Sequence, residues 1–237
     1  MGVESAGRPE YPDPILEVAA DAGEISAVYS YGLLLREFGL EEEANARYLR
    51  AVEPDSPGES HTLGLLFYAD GDHAEAAVWW RHAAEFGHPR AALLLGDVLR
   101  GRGEITEAEA WLRRAAESGD LDAATSYGDL LRERGDFDAA ETWLRKAAEA
   151  DHTPGAVVLG ILVRDRGDLS AAESLFRRAA EAGNHDAANN LGRLLAERGD
   201  LDDAERWFQH SAEAGNPVAA DNLRTLRADR KRRWWRR

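Results

Sequence analysis

Four of the seven histidines, His61, His73, His82 and His88, fall within 28 residues and are the densest set of side chains able to hold a metal ion. A two-histidine site on a helix needs i, i+4 spacing, which none of the four has. They read instead as turn or solvent histidines. Cysteine is absent, which excludes disulfides, thiolate nucleophiles and thiolate metal sites. There is no phosphate-binding glycine loop, nucleophile elbow or HExxH stretch. The expectation is a chain that is not an enzyme and has no catalytic residue, cofactor or metal.

The remaining chemistry is charge. A net charge of -15 argues against nucleic-acid binding by the body of the chain, which would need Lys and Arg to neutralise phosphates. The last residues depart from this: Arg227 to Arg237 hold seven basic residues and one acid. Within them Arg230-Lys231-Arg232-Arg233-Trp234-Trp235-Arg236-Arg237 combines cations with two adjacent indoles. That combination suits an anionic membrane surface, phosphate contacts with stacking, or docking on the acidic body. Lysine occurs only at Lys146 and Lys231; so one-sided a use of arginine suggests a GC-rich bacterial genome. No run approaches the roughly 18 apolar residues of a spanning helix, and residues 1–14 lack the basic start and apolar centre of a secretory signal. The expected location is the cytoplasm.

The elements that position these groups are set by a lattice. Gly32, Gly64, Gly96, Gly128, Gly160 and Gly192 recur every 32 residues, and Gly39, Gly71, Gly103, Gly135, Gly167 and Gly199 follow each by seven. A fixed period of this size marks a supersecondary unit copied and stacked. With the first glycine as position zero, the second glycine is followed at position eight by an acid in five copies, such as Asp72 and Asp136. A glycine closing one helix and an acid capping the next make a helix-turn-helix joint. Alanine stands at twelve in every copy, a large apolar residue at sixteen (Tyr48, Trp80, Leu112, Leu144, Phe176, Phe208) and mostly alanine at nineteen. Steps of four and three put these on one buried helical face. A glycine inside a helix costs about 1 kcal/mol relative to alanine, so close helix packing must offset it, with the alanines at twelve as expected partners. Two helices of roughly 14 residues fill each unit.

This pattern resembles the tetratricopeptide repeat (TPR) and the related Sel-one-like repeat, from about Ala19 to Leu223. The two glycines, the apolar residue three after the first, Ala at twelve, the large residue at sixteen and Ala at nineteen carry the TPR likeness. Trp79, Trp111, Trp143 and Trp207 at fifteen carry the Sel-like one. The resemblance implies an all-α, right-handed α-α superhelix, a solenoid of six 32-residue helix-turn-helix repeats with capping half-repeats. Residues 1–13 would be a disordered leader, 14–229 the solenoid and 230–237 a basic tail. Residues 14–22 would form a starting half-unit, and Pro217 to about Arg230 a closing helix with Arg224 in place of the glycine. Pro54-Asp55-Ser56-Pro57-Gly58 should end the second helix of repeat one early and form a hinge or exposed loop.

In proteins of this kind the first helices of the units line a concave groove. The matching positions here are Tyr29, Leu33, Arg36, His61, Leu65, Tyr68 and Leu93, then Asp97, Arg100, Asp129, Arg132, Val157, Arg164, Asn189 and Arg193. Such a groove is aromatic and apolar in the early repeats and charged in the later ones. The implied function is a scaffold or adaptor holding a partner protein or peptide with an apolar anchor and an acidic stretch facing the arginines. Asp97 with Arg100 and Asp129 with Arg132 are also i, i+3 pairs able to satisfy one another. The asparagine and lysine pattern that clamps chaperone tails is absent, so that ligand class is not expected. A tether to membrane or nucleic acid through Arg232, Arg233, Trp234, Trp235, Arg236 and Arg237 is the alternative.

Overall fold

The computed structural model describes residues 14–52 and 57–235. Among the described residues it is all α, with no strand, and it divides into two compact units, residues up to Ala115 and residues from Ala116. The first unit holds α1 (Pro14–Asp21), α2 (Ile25–Glu37), α3 (Glu41–Ala51), α4 (Pro57–Ala69), α5 (His73–Glu85), α6 (Pro89–Gly101) and most of α7 (Ile105–Glu117). The second holds α8 (Leu121–Glu133), α9 (Phe137–Glu149), α10 (Thr153–Asp165), α11 (Leu169–Glu181), α12 (His185–Arg198), α13 (Leu201–Glu213) and α14 (Pro217–Trp235). Each zero-position glycine lies in an even-numbered helix from α2 to α12, and the following odd-numbered helix packs back on it, as α5 does on α4 and α9 on α8.

The joint within each pair follows from two residues. Gly71 takes a φ of +85°, in the left-handed region that a side chain disfavours. Its N–H reaches the Tyr68 carbonyl at 3.0 Å, and the next N–H, of Asp72, reaches Phe67 at 2.9 Å, closing the end of α4. The Asp72 carboxylate then accepts the Glu75 N–H at 3.1 Å and opens α5. Asp136 and Asp168 do the same for Ala139 and Ala171. Asp200 makes no such bond.

The core lies between the two helices of each pair. Alanines at position twelve are fully buried, and the residues at sixteen are 3% exposed or less. Burying a side chain of that size contributes about 1.5–3 kcal/mol. These large residues, rather than the alanines, are what the zero-position glycines accommodate. Cβ atoms at Gly96 and Gly128 would stand 2.6 Å from Leu112 Cγ and Leu144 Cγ, and one at Gly192 would stand 2.7 Å from Phe208 Cδ1. The alanines contribute indirectly, since lacking bulk they let the Ala108 and Ala140 carbonyls approach the same points to 3.3 and 3.4 Å.

The ends and one joint differ from the simple repeat. α1 is tied to α3 by Arg47, which bonds Glu17 at 3.3 Å, bonds Asp21, and covers the Tyr31 ring. α3 has 11 residues against 13 in α5, as its proline-rich exit requires. Pro57 and Gly58, expected in a loop, are instead in the first turn of α4, where a proline lacks nothing the helix needs. Residues 53–56 and 1–13, with the expected leader, lie outside the described residues. α14 runs past Arg230 to Trp235, because no glycine or proline interrupts it. The tail positions Arg232, Arg233, Trp234 and Trp235 therefore continue this helix, whereas Arg236 and Arg237 lie outside the described residues.

Candidate partner-binding face

In the first unit, α2 and α4 pack side by side, and Tyr29 ties them together. Its buried hydroxyl donates to the Asp70 carboxylate, with the Leu66 carbonyl 3.2 Å away as a second acceptor. Burial, then the bond to Asp70 and its charge, hold this phenol well above the ordinary value, so it acts as a neutral donor. Its ring meets Phe67 edge-on at 5.1 Å, and Phe67 meets Tyr48 the same way at 5.3 Å. Burial pushes the Tyr48 phenol up to about 12.

Arg36 closes over this cluster. Its guanidinium sits 5.2 Å from the Phe67 centroid and 5.5 Å from that of Tyr48, and it donates to Glu75 at 2.7 Å and Asn45 at 3.1 Å. The arginine is thus held by the fold. What the face offers to solvent is apolar: Leu33 is half-buried, Leu65 is 42% exposed and Tyr68 45% exposed. Tyr68 leans edge-on against His73 at 4.5 Å and lies 5.4 Å from Trp80. Asp97 and Arg100 on α6 are half-buried.

In the second unit the expected arginine row is interleaved with carboxylates. Arg132 grips Asp129 with two nitrogens, at 3.0 and 2.7 Å, and lies 3.9 Å from Asp165. Arg164 grips Asp165 at 3.1 and 2.8 Å. Arg193 is exposed and borders an open cavity of about 350 Å³ with Phe208, Asn222 and Leu226. Asn222 donates to the buried Asn189 at 2.9 Å across α14 and α12. The groove positions Leu93 and Val157 are buried.

Two sets of residues escaped sequence reasoning. His88 and His152 are helix caps: their Nδ1 atoms accept the Ala91 and Gly155 N–H, each at 3.2 Å. Their register, shared with Asp120, Asn184 and Asn216, carried that signal. Two of the basic residues at position eighteen reach back to the end of the preceding odd-numbered helix, Arg114 to the Glu85 carbonyl at 3.4 Å and Arg178 to that of Ala148 at 3.0 Å. Arg114 and Lys146 also cover Trp111 and Trp143, giving the tryptophan column a packing role. Pairs at i, i+4 form between Glu173 and Arg177, at 2.9 Å, and between Glu141 and Arg145. Arg81 instead crosses to Glu107 at 2.7 Å, and that bond, with one from Trp111, holds the Glu107 carboxyl below its usual range. Among the described residues no cluster of three His, Cys, Asp or Glu could hold a metal ion, and no helix is long and apolar enough to cross a membrane.

Two family models, both described as tetratricopeptide repeat, match the chain, one at residues 157–220 and the other at 61–82, 89–114 and 121–146. Together they cover more than half of it. No curated protein matches the sequence. Among solved structures, a Sel1 repeat protein from Oxalobacter formigenes is 26% identical with a TM-score of 0.61, covering 83% of this chain and 86% of its own. The APC/C hetero-tetramer Cut9–Hcn1 matches at 14% identity and a TM-score of 0.63 over 90% of this chain, which spans only 46% of that one. YrrB, described as a TPR protein with an unusual peptide-binding site, matches at 18% identity and a TM-score of 0.53, over 75% of this chain and 97% of its own. The matched segments lie on helix pairs from α4 onward, whose glycines and position-sixteen residues interlock, and the chain belongs to the tetratricopeptide repeat family.

Proposed function

We propose that the chain is a non-enzymatic scaffold that holds a partner protein or extended peptide on the face of α2 and α4, with Leu33, Leu65 and Tyr68 gripping an apolar anchor. The observation that carries this is that α4 is apolar on two sides. Leu63 and Phe67 are buried at 0% and 1% exposure and satisfy the fold, whereas Leu65 and Tyr68 remain open to solvent. Folding needs only one apolar stripe on such a helix, and large exposed apolar residues grouped on one face mark contact sites. The peptide site described for YrrB supports a peptide ligand. The paired state of Arg36, Arg132 and Arg164 leaves the apolar anchor, rather than an acidic stretch, as the main determinant. A photo-reactive amino acid at position 65 or 68 should give a discrete cross-linked partner in the source cells, and one at Arg145 should not. Equal products from all three positions, or none, would sink the reading.

A further inference from the structure

His61 on α4 and His88 at the start of α6 stack nearly parallel, with ring centroids 4.4 Å apart and planes 15° from each other. Both are the kind of side chain whose charge changes near neutral pH, and together they join consecutive repeats. His88 has a further task. Its Nδ1 accepts the Ala91 N–H, so that nitrogen carries no proton, and protonating it would turn the cap acceptor into a donor facing another donor. The corresponding positions Asp120 and Asn184 cap through side-chain oxygens. The turn thus needs an acceptor there, and of these three side chains only the imidazole titrates near neutral pH.

His61 is no better placed to take a charge. Its Nε2 is buried and has no hydrogen-bond partner, and its carbonyl receives the Trp80 Nε1–H from α5 at 3.3 Å. The neighbouring Ser60 is occupied by His82 of α5, hydroxyl to Nδ1 at 2.9 Å. Burial first, then the charges of His88 and of Arg90 on α6, hold the His61 imidazole below its ordinary 6.5, and burial does the same for His88. His152, which also caps through Nδ1, differs in having Asp122 3.0 Å from its Nε2.

We propose that the His61–His88 stack is an acid-released latch between α4 and α6, closed while both rings are neutral and opened when they take up protons. Protonation removes the cap and places two like charges face to face. A histidine depressed in the folded state binds more protons when unfolded, so the latch contributes in full above about pH 6.5 and is lost as pH falls through the folded value. It depends on the geometry of the two rings, and stands whether or not the α2–α4 face binds a partner.

The test is amide hydrogen exchange of the full chain at pH 7.5 and 5.0, corrected for intrinsic rates, comparing peptides from α4 and the start of α6 with one from the start of α10. His88→Asn keeps a cap acceptor and His61→Leu copies the apolar Leu93 of the next repeat, so each removes a titrating ring without removing the turn. The wild-type latch peptides should lose at least tenfold more protection than α10 on acidification, and either variant that is folded at pH 7.5 should hold most of it. Undiminished protection in the wild type at pH 5.0, or equal loss in the variants, would overturn the latch.

Discussion

The ring of Phe176 occupies the space that a side chain at Gly160 would need: a Cβ built there would stand 2.6 Å from Cε1. The glycine in α10 and the aromatic in α11 are therefore two halves of one contact. Gly160→Ala gains about 1 kcal/mol in helix propensity but forces the ring to move, an overpacking cost of about 1–3 kcal/mol. The net effect should be destabilising. In a Phe176→Ala background the same substitution should become neutral or stabilising, because the methyl then fills part of the space left by the ring. Urea midpoints of the four proteins in the cycle check this change of sign.

Asp151 has a φ of +56° at a position where Gly87, Gly119, Gly183 and Gly215 have φ values from +87° to +97°. An aspartate tolerates the left-handed region better than most residues, yet glycine adopts it without strain. Asp151→Gly should raise stability by about 0.5–1 kcal/mol, and Asp151→Ala should lower it by a similar amount, both read from denaturant midpoints.

Asp120 opens α8 by accepting the Ala123 N–H at 2.8 Å. Its replacement by alanine should cost about 1 kcal/mol. Asp120→Asn should cost only a few tenths, since Asn184 performs the same task for Ala187 at 2.8 Å. Thermal melts of the three proteins distinguish a capping role from a purely electrostatic one.

Arg36 stood among the expected groove residues, and its contacts give it a structural part. Losing its bonds to Glu75 and Asn45 and its place over Phe67 and Tyr48 should lower stability by about 1 kcal/mol. If the apolar residues carry recognition, partner affinity of Arg36→Ala should stay within threefold of wild type in the same titration that tests Leu65.

Much of this fold was legible because its key positions are glycines, and glycine is informative where a side chain would not fit. Gly71 and Gly96 mark two such places, a left-handed turn and a helix crossing. The glycine's partner was misassigned because period analysis shows which residues share a face and not how far each reaches. A leucine or aromatic at sixteen crosses the gap that an alanine at twelve only borders. The histidine caps were missed because imidazole is an uncommon cap, although their register with Asp120 and Asn184 was in plain view. That Leu65 and Tyr68 face solvent could be anticipated from their positions in the repeat. The pairing of Arg164 with Asp165 could not, because adjacent residues on a helix do not ordinarily face each other and their bond depends on how the arginine folds back.

The central claim is that recognition lies in the exposed apolar side of α4, and calorimetric titration of the cross-linked partner segment into purified protein tests it most directly. Leu65→Asp should weaken binding at least tenfold while the protein stays folded with only a small fall in melting temperature, since Leu65 is 42% exposed. Unchanged affinity in a normally folded Leu65→Asp protein would contradict the account and place recognition elsewhere on the chain.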